Sequence, residues 1–390
     1  MTAIVRLALQ HAAFRWGRTC IVIACVAVAV ALPIASRLVA NSFETSLTAR
    51  ASQAPIVVGA EGSRFDLLFS SLYFRLGGVS PVRQGVYDDL LATSGVLPIP
   101  IHAEFSARDA PIVGTSIEYF ERRGFTLSEG RLPVRLGEAV VGSAAADRLG
   151  LRPGDAIRNE PRRLYDITTT TAVELNIVGV LAATESPDDA AIFIDIDTAW
   201  VLEGLSHGHD DAQSIDDPEQ VLGRDDDFVA LSGAVVPYQR IDDSNAASFH
   251  THGDPADLPL TAILIYPETA KDATIVRTRL NSDPLLLAIE PVKVVEELIG
   301  FLVRIRTLID AVAVLLAGAV LVLIGLVAFL TARTRHDELR MLGEIGVART
   351  SVAGLLAADF TAVMLIGAIV GVGCGFAVWQ LAVAALGVSG

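Results

Sequence analysis

Two long apolar runs dominate the last quarter of the chain. The first lies between Asp310 and Arg333, where 22 consecutive residues carry no charge. At a rise of about 1.5 Å per residue, this length crosses a hydrocarbon core of about 30 Å. The second run begins at Phe360 and also contains no charged residue. The pattern predicts two membrane-spanning helices, at residues 301–332 and 353–387.

The loop between these runs, residues 333–352, is rich in arginine. Short basic loops stay on the cytoplasmic side of a membrane, so this loop is expected to be cytoplasmic and the segment before the first run extracytoplasmic. The arginines concerned are Arg333, Arg335, Arg340 and Arg349.

A third apolar run lies near the N-terminus, where the 18 residues from Thr19 to Ser36 lack charge. It predicts a membrane helix at residues 19–40, with flanking arginines that can extend to the headgroups. Residues 1–18 place apolar side chains on one helical face and are expected to form an interfacial helix on the cytoplasmic leaflet. A cleaved signal peptide is the alternative for this region, with Leu38-Val39-Ala40 as a weak cleavage site.

Residues 41–300 contain no long apolar run. Short strand-like segments alternate there with turn signals and helix-like segments, which predicts a mixed α and β domain. The strand-like segments include 55–63, 96–101 and 111–120, and the helix-like ones 82–95 and 270–281. The predicted fold class is therefore a membrane protein with an α-helical bundle of three spans and a large α+β extracytoplasmic domain inserted between spans 1 and 2.

Two local signals refine this domain. Ser143 is expected to cap a short helix that Gly150 ends, and Pro153-Gly154-Asp155 to turn into the next strand. From Pro291 onwards, an amphipathic segment reads as a helix that enters the second span, which would let motion in the membrane pass to the outer domain.

Composition agrees with a membrane protein that has a large polar part. The chain is 52% hydrophobic but has a net charge of -15, so apolar and acidic residues must be segregated along it. The three cysteines all fall inside apolar runs, which excludes a disulfide framework and a CxxC site. Nucleic acid is not an expected partner.

The cytoplasmic loop has a specific residue order. It resembles the R-x-E-(I/L)-x-x-L-R-x-(L/I)-G-A-x-R segment of FtsX/MacB-type ABC transporter permeases, although Gly343 stands where the family usually has arginine. In that family the segment docks on a separate ATPase subunit, and the resemblance implies the same role here; the alternative is an ordinary basic loop. The matching residues are Glu338, Leu339, Leu342, Ile345, Gly346 and Arg349.

The block from residue 130 to 157 is similar to the periplasmic core domain of MacB-like permeases. It contains the G-R-x-P, G-E-x-V and L-G-L-x-x-G-D elements of that domain. The resemblance implies two lobes, a strand-rich middle and a βαβ lobe built from the first and last thirds of the insertion. Such permeases normally have a fourth span, so we expect either a truncated sequence or a three-span variant.

Catalytic signatures are absent from the sequence. There is no G-x-x-x-x-G-K-[ST] segment, and the chain has only two lysines, Lys271 and Lys293. ATP and Mg²⁺ are therefore expected in a partner ATPase, and the chain is expected to be a non-catalytic subunit with no catalytic residues.

Four histidines form two His-x-His pairs that flank an acidic segment. In an extended segment both rings of such a pair lie on one face, and imidazoles with carboxylates suit Zn²⁺. The alternative is a solvated polar loop, because nothing in the spacing fixes four ligands around one ion. The residues are His207, His209, His250 and His252.

The last span contains a ridge of three glycines at a spacing of four, Gly367, Gly371 and Gly375. Such a ridge lets another helix approach closely. We expect it to pack within the membrane bundle, either against the chain's own first helices or across a dimer interface.

The resemblance implies a permease subunit of an ABC transporter of the MacB-like mechanotransmission type, in the bacterial inner membrane, with an unidentified substrate. Its expected partners are the lipid bilayer, an ABC ATPase subunit, a second permease chain, either identical or a four-span sibling, and a periplasmic adaptor or substrate protein. Two alternatives stay open: an FtsX-like signalling scaffold that activates a periplasmic partner, and a zinc-handling permease component.

Overall fold

The chain forms two compact units, a membrane unit of residues 1–47 and 297–390 and an outer domain of residues 48–296. The computed structural model describes residues 16–160, 172–207, 221–225, 228–231, 238–242, 245–251, 253–334 and 349–386.

The helices in the described residues are α1 Trp16–Ser52, α2 Arg64–Leu72, α3 Gln84–Leu91, α4 Ile117–Arg123, α5 Ser143–Leu149, α6 Ile196–Leu202, α7 Ala270–Leu280, α8 Pro291–Thr334 and α9 Arg349–Leu386. The strands are β1 Ile56–Ala60, β2 Val82–Arg83, β3 Val96–Ala107, β4 Ala110–Thr115, β5 Leu127–Gly130, β6 Glu138–Val141, β7 Ala156–Arg158, β8 Ala172–Leu181, β9 Ile192–Asp195, β10 Ser206–His207, β11 Val221–Asp225, β12 Phe228–Leu231, β13 Tyr238–Arg240, β14 His250–Thr251, β15 Pro259–Leu260, β16 Ala262–Pro267 and β17 Leu286–Ile289.

Three of these helices are long and apolar enough to cross a membrane, at Thr19–Ser52, Pro291–Val327 and Phe360–Ala384. An α+β domain lies between the first and the second of them along the chain, so the predicted fold class is confirmed. Helix α1 continues past residue 40, where the first span was predicted to end, to Ser52. Helix α8 begins at Pro291, where the sequence predicts an amphipathic helix that enters the second span.

A small apolar core holds the membrane unit together. Val22 and Val26 of α1 are buried with Val320 and Ile324 of α8. Phe360 and Val363 of α9 are partly buried against this cluster. Most other apolar side chains of α8 and α9 stay exposed, as lipid-facing residues do.

The outer domain is built on one sheet with the strand order β13-β8-β6-β9-β4-β3-β16-β1-β17, and β5 and β7 also pair with β8. At one end, β1 is antiparallel to both β16 and β17, and β16 is antiparallel to β3. Strands β1 and β3 are therefore parallel and separated by β16, while β16 and β17 are parallel and separated by β1. Helices α2 and α3 connect the first pair and α7 the second, which makes this lobe a ferredoxin-like split βαβ arrangement.

The rest of the sheet forms the middle lobe. Strand β4 runs parallel to β9, and β6 lies between β9 and β8. Strand β3 belongs to both lobes, since it pairs with β16 from Val96 to Ile101 and with β4 from Ile101 to Ala107. The pairing with β4 is interrupted by an irregularity between His102 and Phe105. Each lobe has its own apolar core, of which Ile112, Leu175 and Ile194 in the middle lobe and Val58, Ile263 and Ile265 in the other are examples.

One local prediction is partly wrong. Gly150, at φ 68°, ends α5 as predicted, but Ser143 does not cap this helix; Gly142 occupies the cap position and no side chain closes it. A Cβ atom on Gly142 would lie 2.3 Å from the carbonyl oxygen of Asp188 and 2.5 Å from that of Asp189. The crowding by these carbonyls therefore requires glycine at this position, and the helix begins at Ser143 itself.

The predicted strand-like segment 111–120 is also corrected. Strand β4 ends at Thr115, and α4 begins at Ile117 and ends at Gly124, which has φ 63°. A helix at this place puts Tyr119 and Phe120 together in the interior, where both are buried. Alternating strand geometry would have sent them to opposite faces.

Candidate functional site

The predicted ATPase-coupling residues lie almost wholly outside the described residues. Arg349 is the first residue of α9. The remaining members are not described, and these are Glu338, Leu339, Leu342, Ile345 and Gly346. Their role stays a prediction.

The glycine ridge of α9 lies against α1 of the same chain. A Cβ atom on Gly367 would lie 2.8 Å from the Cβ of Val26, and one on Gly371 would lie 2.7 Å from the carbonyl oxygen of Ala27. At Gly375 the nearest atom, on Ile34, would be 3.0 Å away. A side chain at any of the three glycines would therefore crowd α1, and at Gly371 it would meet the α1 backbone directly.

Polar contacts accompany this packing in the membrane unit. Arg37 of α1 donates from Nη2 to Oδ2 of Asp310 on α8 at 3.3 Å. The indole Nε1 of Trp379 on α9 donates to Oγ of Ser42 on α1 at 3.0 Å. Each of these contacts links α1 to another helix of the bundle.

Two of the four predicted zinc ligands lie opposite each other. Strands β10 and β14 form an antiparallel pair in which His207 and His250 are direct partners. Nδ1 of His250 lies 2.9 Å from the carbonyl oxygen of Ser248, which favours hydrogen on Nδ1 and leaves the lone pair on Nε2. His209 and His252 are outside the described residues. Within the described part of the chain, no group of three or more His, Cys, Asp or Glu side chains could hold a metal ion.

The last turn of α1 reaches a buried polar cluster that sequence reasoning missed. Arg50 is 3% exposed and donates from Nη1 and Nη2 to the two carboxylate oxygens of Asp188, which is 0% exposed. Its Nε donates to the carbonyl oxygen of Leu72 at 2.7 Å. Such a forked, charge-assisted pair fixes direction as well as distance. The end of α1 is thereby held at a defined place in the outer domain.

Other donors complete the surroundings of Asp188. The hydroxyl of Tyr119 donates to Oδ1 at 2.5 Å, the hydroxyl of Ser186 donates to Oδ2 at 2.7 Å, and Arg123 donates from Nη2 to Oδ2. Burial and the neighbouring Asp188 carboxylate raise the pKa of Tyr119 well above its ordinary value, so Tyr119 stays a neutral donor. We call Arg50, Tyr119, Arg123, Ser186 and Asp188 the Asp188 cluster.

No short motif marks this cluster in the sequence. Arg50 and Asp188 are 138 residues apart, and each lies in a polar segment that reads as surface. Arg50 lies in the last turn of α1, but no sequence pattern predicts that the helix continues beyond residue 40. Pairing Arg50 with Asp188 required the fold.

A second ionic arrangement fixes the loop between β5 and β6. Glu138 accepts hydrogen bonds from the guanidinium of Arg131 and from the backbone N–H groups of Val134 and Arg135 at 3.0 and 3.1 Å. The hydrogen bonds from Arg131 outweigh the opposing effect of burial and lower the pKa of Glu138 to about 2. The G-R-x-P and G-E-x-V elements thus meet in one closed loop that shapes the scaffold.

One family model and several solved structures are similar to this chain. The family model described as MacB-like periplasmic core domain matches residues 19–228. Among solved structures, the periplasmic region of MacB from Actinobacillus actinomycetemcomitans is similar at 10% identity and a TM-score of 0.35, over 63% of this chain and 94% of that one. The extracellular domain of the noncanonic ABC-type transporter YknZ from Gram-positive bacteria is similar at 9% identity and a TM-score of 0.33, over 60% of this chain and 98% of that one. None of the curated proteins matches the chain.

The family match covers more than half of the 390 residues and includes the first apolar helix, while the other two apolar helices follow the matched region. This chain therefore belongs to the family of MacB/FtsX-like ABC transporter permeases that carry a MacB-like periplasmic core domain.

Proposed function

We propose that this chain is a permease subunit of the mechanotransmission type. Members of its family are transporter permease components, and the family implies an ABC ATPase subunit as partner. In the proposal, ATP binding and hydrolysis in that subunit move the membrane helices in the bacterial inner membrane. The movement passes to the outer domain, which acts on an exported or transported substrate that is not identified.

The observation that carries the proposal is the course of α1 and α8. Helix α1 ends at Ser52 in the outer domain, where Arg50 is buried, and α8 begins there at Pro291, with Val294 and Val295 buried. Both helices also supply apolar spans. Because every turn of an α-helix is hydrogen-bonded to the next, such a helix is a stiff connection. Each of these helices gives membrane movement a direct route into the outer domain.

The contact with the ATPase is assigned to the loop at residues 333–352. Glu338 and Arg349 would supply its ionic contacts, and the loop's apolar residues would enter a groove on the ATPase. Since the chain has no phosphate-binding loop of its own, this contact would be its only source of energy. The glycine ridge would keep α9 and α1 together while they move.

Zinc handling is a second candidate function, favoured by the cross-strand partnership of His207 and His250. Opposite residues of an antiparallel pair lie about 4.5–5.5 Å apart, a spacing at which two imidazoles can share one ion. In this alternative the outer domain would present an ion instead of acting on a larger substrate. The two candidates can be separated, because only the first requires nucleotide-dependent movement.

Movement of the outer domain tests the first candidate. A spin label at Asp147→Cys, an exposed position on α5, would be introduced after replacement of Cys20, Cys25 and Cys374. The labelled chain would be isolated with its ATPase subunit in lipid nanodiscs. Distances between the labels of two chains would then be measured without nucleotide and with a non-hydrolysable ATP analogue and Mg²⁺. The proposal predicts two different distance distributions, and identical distributions would contradict it.

A further inference from the structure

We infer that Arg50 is the residue through which displacement of α1 enters the middle lobe, with Asp188 as the group that receives it. The inference rests on the proposed function, since it assumes that α1 moves during the transport cycle. Arg50 is then a positioning residue, because it acts on the outer domain and not on a substrate. Four features of the Asp188 cluster support this role.

The first feature is the completeness of the contacts made by Arg50. All three guanidinium nitrogens donate to outer-domain acceptors, among them the carbonyl oxygen of Leu72, both carboxylate oxygens of Asp188 and the hydroxyl of Tyr119. A rotation or translation of the end of α1 by the length of one hydrogen bond would break several of these bonds together. The last turn of α1 and the cluster must therefore move as one body.

The second feature is the place of Asp188 in the chain. It lies in a 3-10 turn, Pro187–Ala190, that leads after one residue into β9. Strand β9 is an interior strand of the sheet, paired with both β4 and β6. The N–H of Gly142, just before α5, also donates to the carbonyl oxygen of Ala191 at 2.9 Å. A displacement delivered to Asp188 therefore reaches an interior strand and one helix of the middle lobe.

The third feature is backbone strain around the cluster. Phe74 and Glu185 have φ angles of 56° and 53°, a left-handed conformation that costs free energy for residues other than glycine. The guanidinium carbon of Arg50 lies 5.5 Å from the centre of the Phe74 ring. Glu185 immediately precedes Ser186, whose hydroxyl donates to Asp188. Strained residues persist only where the surrounding structure fixes them. Such fixed geometry is what a contact that transmits displacement needs.

The fourth feature is an excess of positive charge around the Asp188 carboxylate. Arg123 already pairs with the Asp188 carboxylate and is itself only 6% exposed. Neutralising Asp188 therefore does not require a second arginine, and burying an additional guanidinium is costly. Arg50 differs from Arg123 in the helix that carries it: α4 lies wholly within the outer domain, whereas α1 contains a membrane span. The presence of Arg50 is therefore explained if this arginine couples the membrane helix α1 to Asp188.

This difference supplies a matched control. Arg50→Gln and Arg123→Gln each remove one buried guanidinium from the same carboxylate. A purely structural role for both arginines predicts similar losses of thermal stability and equal retention of movement. The inference predicts that both variants lower the unfolding temperature but that only Arg50→Gln loses nucleotide-dependent movement.

The experiment is the distance measurement at Asp147→Cys in the complex with the ATPase subunit, with and without the ATP analogue. In the Arg50→Gln variant we expect the nucleotide-dependent change in distance to fall by at least about half, because the forked contact is lost. The Arg123→Gln variant should keep the wild-type change. ATP hydrolysis should continue in both variants, which would show that the ATPase contact is intact.

The outcomes separate the inference from the proposed function. No nucleotide-dependent change in the wild-type protein would overturn the proposed function and the inference with it. A wild-type response that is unaltered in Arg50→Gln, or reduced equally in Arg123→Gln, would overturn the inference alone. If Arg50→Gln does not fold, Arg50→Lys decides, since lysine keeps the charge but not the forked geometry; a full response in that variant would likewise overturn the inference.

Discussion

The carbonyl oxygen of Ala27 in α1 lies so close to Gly371 of α9 that a methyl group on the glycine would come within 2.7 Å of it. Gly367 and Gly375 make similar approaches to Val26 and Ile34. Helices α1 and α9 therefore pack closely along three glycine-containing turns of α9, with direct approach to the α1 backbone at Gly371. In lipid, where no hydrophobic driving force holds helices together, this close packing is a main source of helix association.

Replacement of Gly371 by leucine should separate α1 from α9. The new side chain has no space, and overpacking of this kind costs about 1–3 kcal/mol. We expect a lower unfolding temperature of the purified protein in detergent. The matched control is Gly373→Leu two residues away, since a Cβ atom there would meet nothing within 4 Å. Equal stability of the two variants would mean that this contact does not hold the bundle.

Replacement of Glu138 by glutamine should destabilise the outer domain at neutral pH by about 1–3 kcal/mol, because hydrogen bonds to a charged group are lost. The folded protein holds the pKa of Glu138 at about 2, below the ordinary value of 4.5. The ionised carboxylate thus stabilises the fold above pH 4.5, and this contribution is lost as the pH falls from 4.5 to 2.

Thermal unfolding of both proteins as a function of pH measures this effect. The difference between wild type and Glu138→Gln should shrink as the pH is lowered through that range. Glu129→Gln, an exposed position on β5, is the control and should unfold like the wild type at every pH. A constant difference across the range would show that ionisation of Glu138 does not contribute.

The sequence allowed the three spans to be predicted because apolar length in a membrane protein is a direct physical requirement. The ends of the spans were less predictable. Residues 41–52 are polar and read as the start of the outer domain, yet α1 continues through them since Arg50 and Ala51 are buried there. The membrane requires only the apolar part of a helix, so its extension into the outer domain depends on tertiary contacts.

Functional residues that are brought together only by tertiary contacts were equally hard to predict from the sequence. A family resemblance located the loop at residues 333–352, because an ordered set of residues close in sequence carries it. The Asp188 cluster joins segments that are far apart in sequence, and its members are ordinary polar residues one by one. The sequence pattern predicts a strand at residues 111–120, and in a strand Tyr119 and Phe120 would lie on opposite faces. The pairing of Arg50 with Asp188 is a property of the folded sheet.

Membrane topology gives an independent test of the loop assignment. A cysteine introduced at Arg340 should react with a membrane-impermeant reagent only after the cytoplasmic side is opened. A cysteine at Lys271, exposed on α7, should react in intact cells. Labelling of position 340 from the outer face would overturn the orientation.

Zinc binding tests the second candidate function. The purified chain should bind one Zn²⁺ ion in a calorimetric titration, and binding should weaken as the pH falls through about 6.5, where imidazole becomes protonated. The double variant His207→Ala and His250→Ala should lose this binding, whereas His336→Ala, in the cytoplasmic loop, should retain it. Absence of saturable binding by the wild type, or equal binding by the double variant, would return these histidines to a solvated polar role.

The most direct test of the proposed ATPase contact is recovery of an ATPase subunit with the purified chain. An ABC ATPase should co-purify with the wild type and with the control variant Asp337→Ala and Arg340→Ala, which removes one acid and one base at positions that the family segment leaves variable. It should be lost from the variant Glu338→Ala and Arg349→Ala, although this protein still inserts into the membrane. If recovery of the ATPase is unchanged with Glu338→Ala and Arg349→Ala, or if no ATPase is recovered with the wild type, the proposed function is wrong.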